Sequence, residues 1–149
     1  MRPERRAMSS ALRSHRGTLV VLRAGERVLE ATELILLVED DTDIREEMAS
    51  MLEGEGYQVV QARNGQEALD HLKTLPAPCI ILLDLMMPVM NGWDFRARQL
   101  ADPALKGIPT VIVSGAAQAP QEALSLGATA FLQKPFDLEP LLDVIEHYC

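Results

Sequence analysis

The chain has 149 residues, of which 48% are hydrophobic and 24% charged, a composition typical of a globular protein with one hydrophobic core. No apolar stretch approaches the roughly 20 residues of a membrane-spanning helix. The apolar run at residues 19–22 ends at Arg23 and is too short for a secretory signal. We therefore expect a cytoplasmic protein without a membrane segment.

The formal net charge of −8 is unevenly distributed along the chain. Residues 1–32 contain seven arginines and three glutamates, so the rest of the chain carries the excess of acidic side chains. An acidic body repels phosphate backbones, and we expect residues 33–149 not to bind nucleic acid directly.

Residues 1–32 are predicted to be an N-terminal extension, and residues 33–149 a single domain. The polar, arginine-rich composition of the extension favours disorder. Two alternatives stay open for it: an extra strand pair within residues 18–31, or a translation start assigned too far upstream.

The two cysteines, Cys79 and Cys149, lack the spacing of a metal site. Cys79 begins an apolar run and is predicted to be a buried thiol. We expect neither a disulfide framework nor a zinc site.

A regular alternation of strands and helices begins at residue 34. The run 34–38 is apolar throughout, which indicates a strand buried on both faces. Residues 43–55 have apolar side chains at helical spacing, and Asp43 is predicted to cap the start of that helix. A second strand at 57–61 is followed by a helix that opens at Asn64-Gly65 and stops before Pro76.

The second half of the chain continues the alternation through three strands and three helices. The helix near residue 121 is expected to be short, because Pro120 lies where it would begin. The predicted strands are 79–83, 108–113 and 130–132, and the predicted helices are 93–100, 121–126 and 138–148.

Five apolar strands that alternate with five helices predict an α/β fold, in which helices cover both faces of a parallel sheet. In such sheets, ligands bind beyond the carboxyl ends of the strands. Polar residues follow four of the five predicted strands: Glu39, Asp40 and Asp41 after the first, Asp84 after the third, Ser114 after the fourth and Lys134 after the fifth.

The chemistry of these residues indicates a cation site. Crowded carboxylates repel one another, and Mg²⁺ relieves the repulsion by accepting oxygen ligands. Asp84 directly follows apolar strand residues, where a carboxylate without a partner is costly. Taken singly, the acids after the first strand could simply cap a helix, without a role in metal binding. Ser114 could be an ordinary turn residue. Their joint placement at adjacent strand ends favours a functional site.

Four segments together resemble the receiver domain of two-component response regulators: ILLVEDDTDIREEM, IILLDLMMPVMNGWDF, VIVSGAA and GATAFLQKPF. The resemblance covers residues 34–148, and the motifs occur in the family's order. It implies a flavodoxin-like (βα)₅ fold with a five-stranded parallel sheet in the order 2-1-3-4-5.

The resemblance also implies a metal site and a phosphoacceptor. Asp84 matches the phosphoacceptor, which also contributes to the metal site. Asp40 matches a direct Mg²⁺ ligand, Glu39 the second acid, and the backbone carbonyl of Met86 a main-chain ligand. Asp41 follows the acid pair and is assigned to the start of the helix.

Further positions match the family's switch residues. Ser114 corresponds to the hydroxyl that reaches a phosphoryl oxygen, and Lys134 to the cation of the site. Phe131 falls at the switch aromatic position, and the Lys134–Pro135 peptide bond at one that is cis in this family.

The resemblance implies a stand-alone receiver that takes a phosphoryl group from a sensor histidine kinase or a histidine-phosphotransfer protein and binds a downstream protein target. It would not be an enzyme, apart from self-catalysed phosphorylation and dephosphorylation. One alternative is a receiver fragment of a larger hybrid kinase or DNA-binding regulator. Another is an aspartate-nucleophile phosphatase, but such enzymes need an acid at the position of Met86.

Overall fold

The computed structural model describes residues 18–19, 31–115 and 119–149. From residue 34 onward, the described residues form five strands and five helices in alternation. The strands are β1 (Leu34–Val38), β2 (Gln58–Ala62), β3 (Ile80–Leu83), β4 (Thr110–Ser114) and β5 (Ala130–Gln133). The helices are α1 (Thr42–Gly54), α2 (Gly65–Thr74), α3 (Gly92–Ala101), α4 (Ala119–Ser125) and α5 (Leu138–Tyr148).

The five strands form one parallel sheet in the order β2-β1-β3-β4-β5. This is the predicted topology. The order in which strands are added to the sheet reverses at β1. Strand β2 lies on one side of β1 and β3 on the other, where Val38 pairs with Leu83. The carboxyl ends of β1 and β3 therefore lie side by side, which is where ligands bind in folds of this kind.

Alternate residues of each strand pack into two separate core layers. Leu37 and Leu82 face the layer completed by α1 and α5, in which Leu52 and Ile145 are fully buried. Leu36 and Leu83 face the opposite layer, to which α2, α3 and α4 contribute Ala68, Phe95 and Ala123. Both faces of the sheet are covered, which explains why its strands are apolar at successive positions.

The start of α1 differs from the expectation for Asp43. The N-cap is Asp41, whose Oδ1 accepts a hydrogen bond of 3.0 Å from the backbone N–H of Ile44. Asp43 lies in the first turn, where its charge suits the helix dipole but does not cap the helix. The assignment of Asp41 to the helix start is confirmed, and the assignment of Asp43 as the cap is wrong.

Helix α4 has seven residues and is short, as predicted. Pro120 is its second residue, and the absence of a proline N–H is tolerated in the first turn because that group would have no partner within the helix.

An antiparallel pair precedes the sheet, with Thr18 opposite Thr32 and Leu19 opposite Ala31. These residues match the strand-pair alternative for the N-terminal extension. The predicted disorder of residues 1–17 and 20–30 lies outside the described part of the chain.

The expectation that the cysteines form no disulfide is wrong. Cys79 and Cys149 are bonded, with their Cα atoms 5.4 Å apart, within the usual range for a disulfide. Cys79 directly precedes β3 and Cys149 directly follows α5, so the bond ties the end of the last helix to the sheet. No helix among the described residues is long and apolar enough to cross a membrane.

Candidate functional site

The predicted polar residues meet at the carboxyl edge of the sheet. Glu39 and Asp40 follow β1, Asp84 follows β3, and Lys134 follows β5. Ser114 is the last residue of β4 and is 1% exposed. Because parallel strands all end at the same edge, residues far apart in the sequence are brought to one place.

Three carboxyl groups form a tight acidic cluster. One oxygen from each of Glu39, Asp40 and Asp84 lies within 4.8 Å of the others. Glu39 and Asp84 are buried, at 2% and 7% exposure, whereas Asp40 is exposed. Solvent therefore reaches the cluster at Asp40, whereas the side chains of Glu39 and Asp84 are shielded from it.

Lys134 connects the two buried carboxylates. Its Nζ lies 2.5 Å from Oε1 of Glu39 and 3.6 Å from Oδ2 of Asp84. A single ammonium group thus faces acids from two neighbouring strands and offsets part of their charge.

Backbone donors fix the orientation of both buried carboxylates. Oδ1 of Asp84 accepts a 2.8 Å hydrogen bond from the N–H of Leu85, and Oε2 of Glu39 accepts one of 3.1 Å from the N–H of Asp41. Gly92 begins α3 directly against this segment, where a Cβ atom would collide with the Asp84 carbonyl oxygen and lie 2.7 Å from the Cα of Leu85. Glycine is required there so that α3 can approach the loop after β3.

Burial is the largest influence on the two buried acids, and it raises the pKa of Glu39 and the pKa of Asp84 above their ordinary values. The hydrogen bond from Lys134 opposes this effect at Glu39, as the charge of Lys134 does at Asp84, but neither outweighs burial. Burial alone would lower the pKa of Lys134, but the hydrogen bond to Glu39 and the negative charge of Asp84 raise it overall.

The donor set of the acidic cluster fits a hard divalent cation. Its oxygens are crowded carboxylate oxygens, of the kind that Mg²⁺ accepts together with water. A cation would also remove the repulsion that burial intensifies at Glu39 and Asp84. The residues can therefore hold Mg²⁺ and, beside it, an anionic group that faces Lys134.

The residues at the predicted switch positions lie on the last two strands. Ser114 of β4 pairs with Gln133 of β5, and its carbonyl accepts a 2.9 Å hydrogen bond from the N–H of Lys134. The Lys134–Pro135 peptide bond is cis, as the resemblance implies. Phe131 pairs with Ile112 and packs, partly buried, against the core layer of α2, α3 and α4.

The family model described as "Response regulator receiver domain" matches residues 35–146. The chain belongs to this family. Receivers are phosphoacceptor signalling domains of two-component systems, and they bind Mg²⁺ at an acidic site.

Relatives of this receiver include proteins of similar length and longer ones. It is 35% identical over 117 residues to sporulation initiation phosphotransferase F of Bacillus subtilis, covering 78% of this chain and 93% of that protein. It is 34% identical over 113 residues to the transcriptional regulatory protein PdtaR of Mycobacterium tuberculosis, covering 75% of this chain. The receiver spans 54% of the length of PdtaR.

The receiver fold is also similar to that of the chemotaxis protein CheY4 of Vibrio cholerae. The TM-score is 0.72 at 30% sequence identity, over 80% of this chain and all of the CheY4 chain. The strand order and the five flanking helices agree with the flavodoxin-like fold that the sequence predicted.

Sequence reasoning missed the role of Arg45 in the receiver site. Its Nη1 donates a 2.8 Å hydrogen bond to the Glu39 carbonyl, and its Nε donates one of 3.2 Å to Oε1 of Gln61. Arg45 thus holds the turn that presents Glu39 and Asp40. The available signal was a single cation in the first turns of a helix that is otherwise acidic there.

Proposed function

We propose that Asp84 accepts a phosphoryl group from the phosphohistidine of a sensor histidine kinase or a histidine-phosphotransfer protein. The observation that carries this proposal is the position of Asp84: a buried carboxylate that shares a cluster with Glu39 and Asp40 and faces Lys134 at 3.6 Å. A carboxylate is a competent nucleophile when its surroundings offset the charge of the reacting group.

In the proposed phosphoryl transfer, each residue of the site has a separate role. A carboxylate oxygen of Asp84 forms the new bond to phosphorus while the bond from phosphorus to the histidine nitrogen breaks, and the imidazole leaves. Lys134 offsets negative charge on the phosphoryl oxygens, and the hydroxyl of Ser114 donates to one of them. The N–H of Leu85 holds the Asp84 side chain in its orientation.

In this proposal, Glu39, Asp40, Asp84 and the backbone carbonyl of Met86 hold Mg²⁺. The bound ion would neutralise charge that develops on the transferring oxygens. Support for the three carboxylates comes from their mutual distances, and the assignment of Met86 rests on family resemblance.

The output follows when Ser114 contacts the phosphoryl group, and Phe131 is the side chain that reports the change to a downstream protein target.

We propose that residues 33–149 form the receiver domain and that the protein works in the cytoplasm. The acidic surface disfavours direct contact with nucleic acid. Self-catalysed phosphorylation and dephosphorylation are part of the same proposal.

A second candidate is a receiver within a larger hybrid kinase or DNA-binding regulator. The match to about half the length of PdtaR favours it, because that relative has further residues outside the matched region. A genomic reading frame that continues beyond Cys149 would support this candidate, and a stop codon after Cys149 would contradict it.

The proposal is tested by incubation with the small phosphodonor acetyl phosphate, followed by intact mass spectrometry. The wild type should gain one phosphoryl group only when Mg²⁺ is present, and Asp84→Asn should gain none. Asp94→Asn is the matched control, because Asp94 is an exposed carboxylate in the first turn of α3. Absence of a gain in the wild type, or an equal gain in Asp84→Asn, would contradict the proposal.

A further inference from the structure

Arg96 is a buried cation whose hydrogen-bond partners are neutral. It lies on α3 and is 4% exposed, and burial lowers its pKa. A buried charge is costly unless polar groups satisfy it. Its partners among the described residues are the carbonyls of Leu126 and Gly127 and the side chains of Gln99 and Thr110.

The two carbonyls belong to the end of α4. That end is a Schellman motif: the N–H of Ala128 donates to the Ala123 carbonyl, and the N–H of Gly127 donates to the Leu124 carbonyl. Gly127 has φ +65°, which glycine adopts without strain. The carbonyls of Leu126 and Gly127 follow Ser125, the last residue of α4, and lie at the negative end of the helix.

Arg96 satisfies both of these carbonyls from a different helix. Its Nε donates to the Leu126 carbonyl at 3.1 Å, and its Nη2 donates to the Gly127 carbonyl at 2.9 Å. A planar guanidinium can donate to two carbonyls at once, and its charge complements the negative end of α4. Arg96 is therefore a C-terminal cap for α4, although it lies on α3, 30 positions before Leu126.

The remaining donors lock the guanidinium in place. Nη1 donates to Oε1 of Gln99 at 2.7 Å and to Oγ1 of Thr110 at 3.1 Å. Gln99 is held in turn, because its Nε2 donates to the carbonyls of Leu105 and Ile108, each at 3.1 Å. The cap is thus fixed to α3 and to the first residue of β4.

Helix α3 is itself tied to the phosphoacceptor loop. The N–H of Gly92 donates to the Leu85 carbonyl at 2.9 Å, one residue after Asp84. Helix α4 follows β4, which ends at Ser114. Arg96 therefore connects the helix after the proposed phosphoacceptor with the helix after the proposed switch hydroxyl.

We propose that Arg96 is a positioning residue that anchors the C-terminal end of α4 to α3, so that phosphorylation moves the first part of α4 while its end stays fixed. The anchor itself is independent of the proposed function, whereas its effect on the response to phosphorylation rests on Asp84 being the phosphoacceptor. Because its C-terminal end stays fixed, α4 rotates about that end and does not shift as a whole.

The first test measures amide hydrogen exchange by NMR in the unphosphorylated protein. The N–H groups of residues 126–128 donate to carbonyls of α4, and that of Thr129 donates to the Thr110 carbonyl of β4. In Arg96→Met they should exchange at least about tenfold faster than in the wild type, because charged hydrogen bonds are lost. Arg98→Met is the matched control, since Arg98 is exposed on the same helix, and it should match the wild type.

Arg96→Lys provides a second variant that keeps the charge. Its ammonium cannot reproduce the planar fork, so exchange should be intermediate between those of the wild type and Arg96→Met. Unchanged exchange at residues 126–129 in both Arg96 variants would overturn the anchor.

The second test follows amide chemical shifts after addition of Mg²⁺ and beryllofluoride, which mimics a phosphoryl group. In the wild type, residues 121–124 should shift and residues 126–129 should not, whereas in the Arg96 variants both groups should shift. A purely structural role would lower stability without spreading the response in this way. Wild-type shifts as large at 126–129 as at 121–124 would overturn the fixed pivot.

The two tests separate the anchor from the proposed function. Absence of any beryllofluoride response around Asp84 would contradict both the proposed function and the proposed effect of Arg96 on it. The exchange comparison would still decide whether Arg96 anchors α4.

Discussion

Burial and the charge of Lys134 have the two largest effects on the pKa of Asp84. The side chain is 7% exposed, and burial raises its pKa, while Lys134 at 3.6 Å opposes that effect. The same cation is 2.5 Å from Glu39. Lys134 therefore serves two acids, and its removal would leave both buried carboxylates without their compensating charge.

We predict that Lys134→Gln slows phosphorylation by acetyl phosphate about 100-fold or more, because one electrostatic contact to the transferring group is lost. The measurement is a time course of intact mass in the presence of Mg²⁺. Lys106→Gln removes an exposed lysine and should react at the wild-type rate. A wild-type rate in Lys134→Gln would argue against a role for this ammonium in the transfer.

Val89 carries backbone strain in the loop that follows Asp84. Its φ is +70°, in the left-handed region that β-branched residues rarely adopt, and its side chain is 85% exposed. Val89→Gly should raise the free energy of unfolding by about 1 kcal/mol, measured by urea denaturation. Val89→Ala keeps a Cβ and should gain less. Lower stability in Val89→Gly would show that the valine makes stabilising contacts that outweigh the strain.

At the scale of elements, hydrophobic periodicity predicted the fold well. Strand β1 and helix α5 have the predicted bounds, and the other elements differ by one or two residues at one or both ends. Periodicity works here because each strand is buried on both faces and each helix has one apolar side. It cannot decide which of two nearby acids caps a helix, and so Asp43 was assigned the role of Asp41.

The candidate site was also largely predictable, because parallel strands bring their carboxyl ends together whatever their separation in sequence. The disulfide and the hydrogen bonds of Arg96 were not. Cys79 and Cys149 are 70 residues apart, and Arg96 contacts carbonyls beyond α4. Such contacts depend on how helices settle against the sheet, which local patterns do not encode.

The disulfide should stabilise the attachment of α5 to the sheet. A bond that closes a loop of this length contributes about 4 kcal/mol in the chain-entropy account. We predict that a reductant lowers the melting temperature of the wild type and that Cys149→Ser has a similarly low value without reductant.

The control for the disulfide is Cys149→Ser with and without reductant, which should melt at the same temperature in both conditions. A wild type whose melting temperature does not respond to reductant would contradict a stabilising disulfide.

For the whole molecule, we predict that the acidic site couples stability to pH and to Mg²⁺. Because the folded-state pKa values of Asp84 and Glu39 are raised, the folded protein binds protons more tightly than the unfolded chain. Their contribution to stability is therefore fully present below about pH 4, and it is lost as pH rises through the raised pKa values.

Asp84→Asn should consequently raise the melting temperature of the metal-free protein at pH 7 and change it less at pH 4. Mg²⁺ at about 100 times its Kd should add about 2.7 kcal/mol to the stability of the wild type. The same Mg²⁺ concentration should add less to Asp84→Asn, because one carboxylate ligand is missing. Equal Mg²⁺ shifts in both proteins would argue against a contribution of Asp84 to the metal site.

The position of the phosphoryl group decides whether Asp84 is the phosphoacceptor. The protein is phosphorylated with acetyl phosphate and Mg²⁺ and treated with borohydride, which reduces an acyl phosphate to an alcohol and marks the modified residue. Peptide mass spectrometry then locates the mark. We expect reduction at Asp84, whereas a mark on Glu39 or Asp40 with Asp84 unmodified would contradict phosphorylation at Asp84.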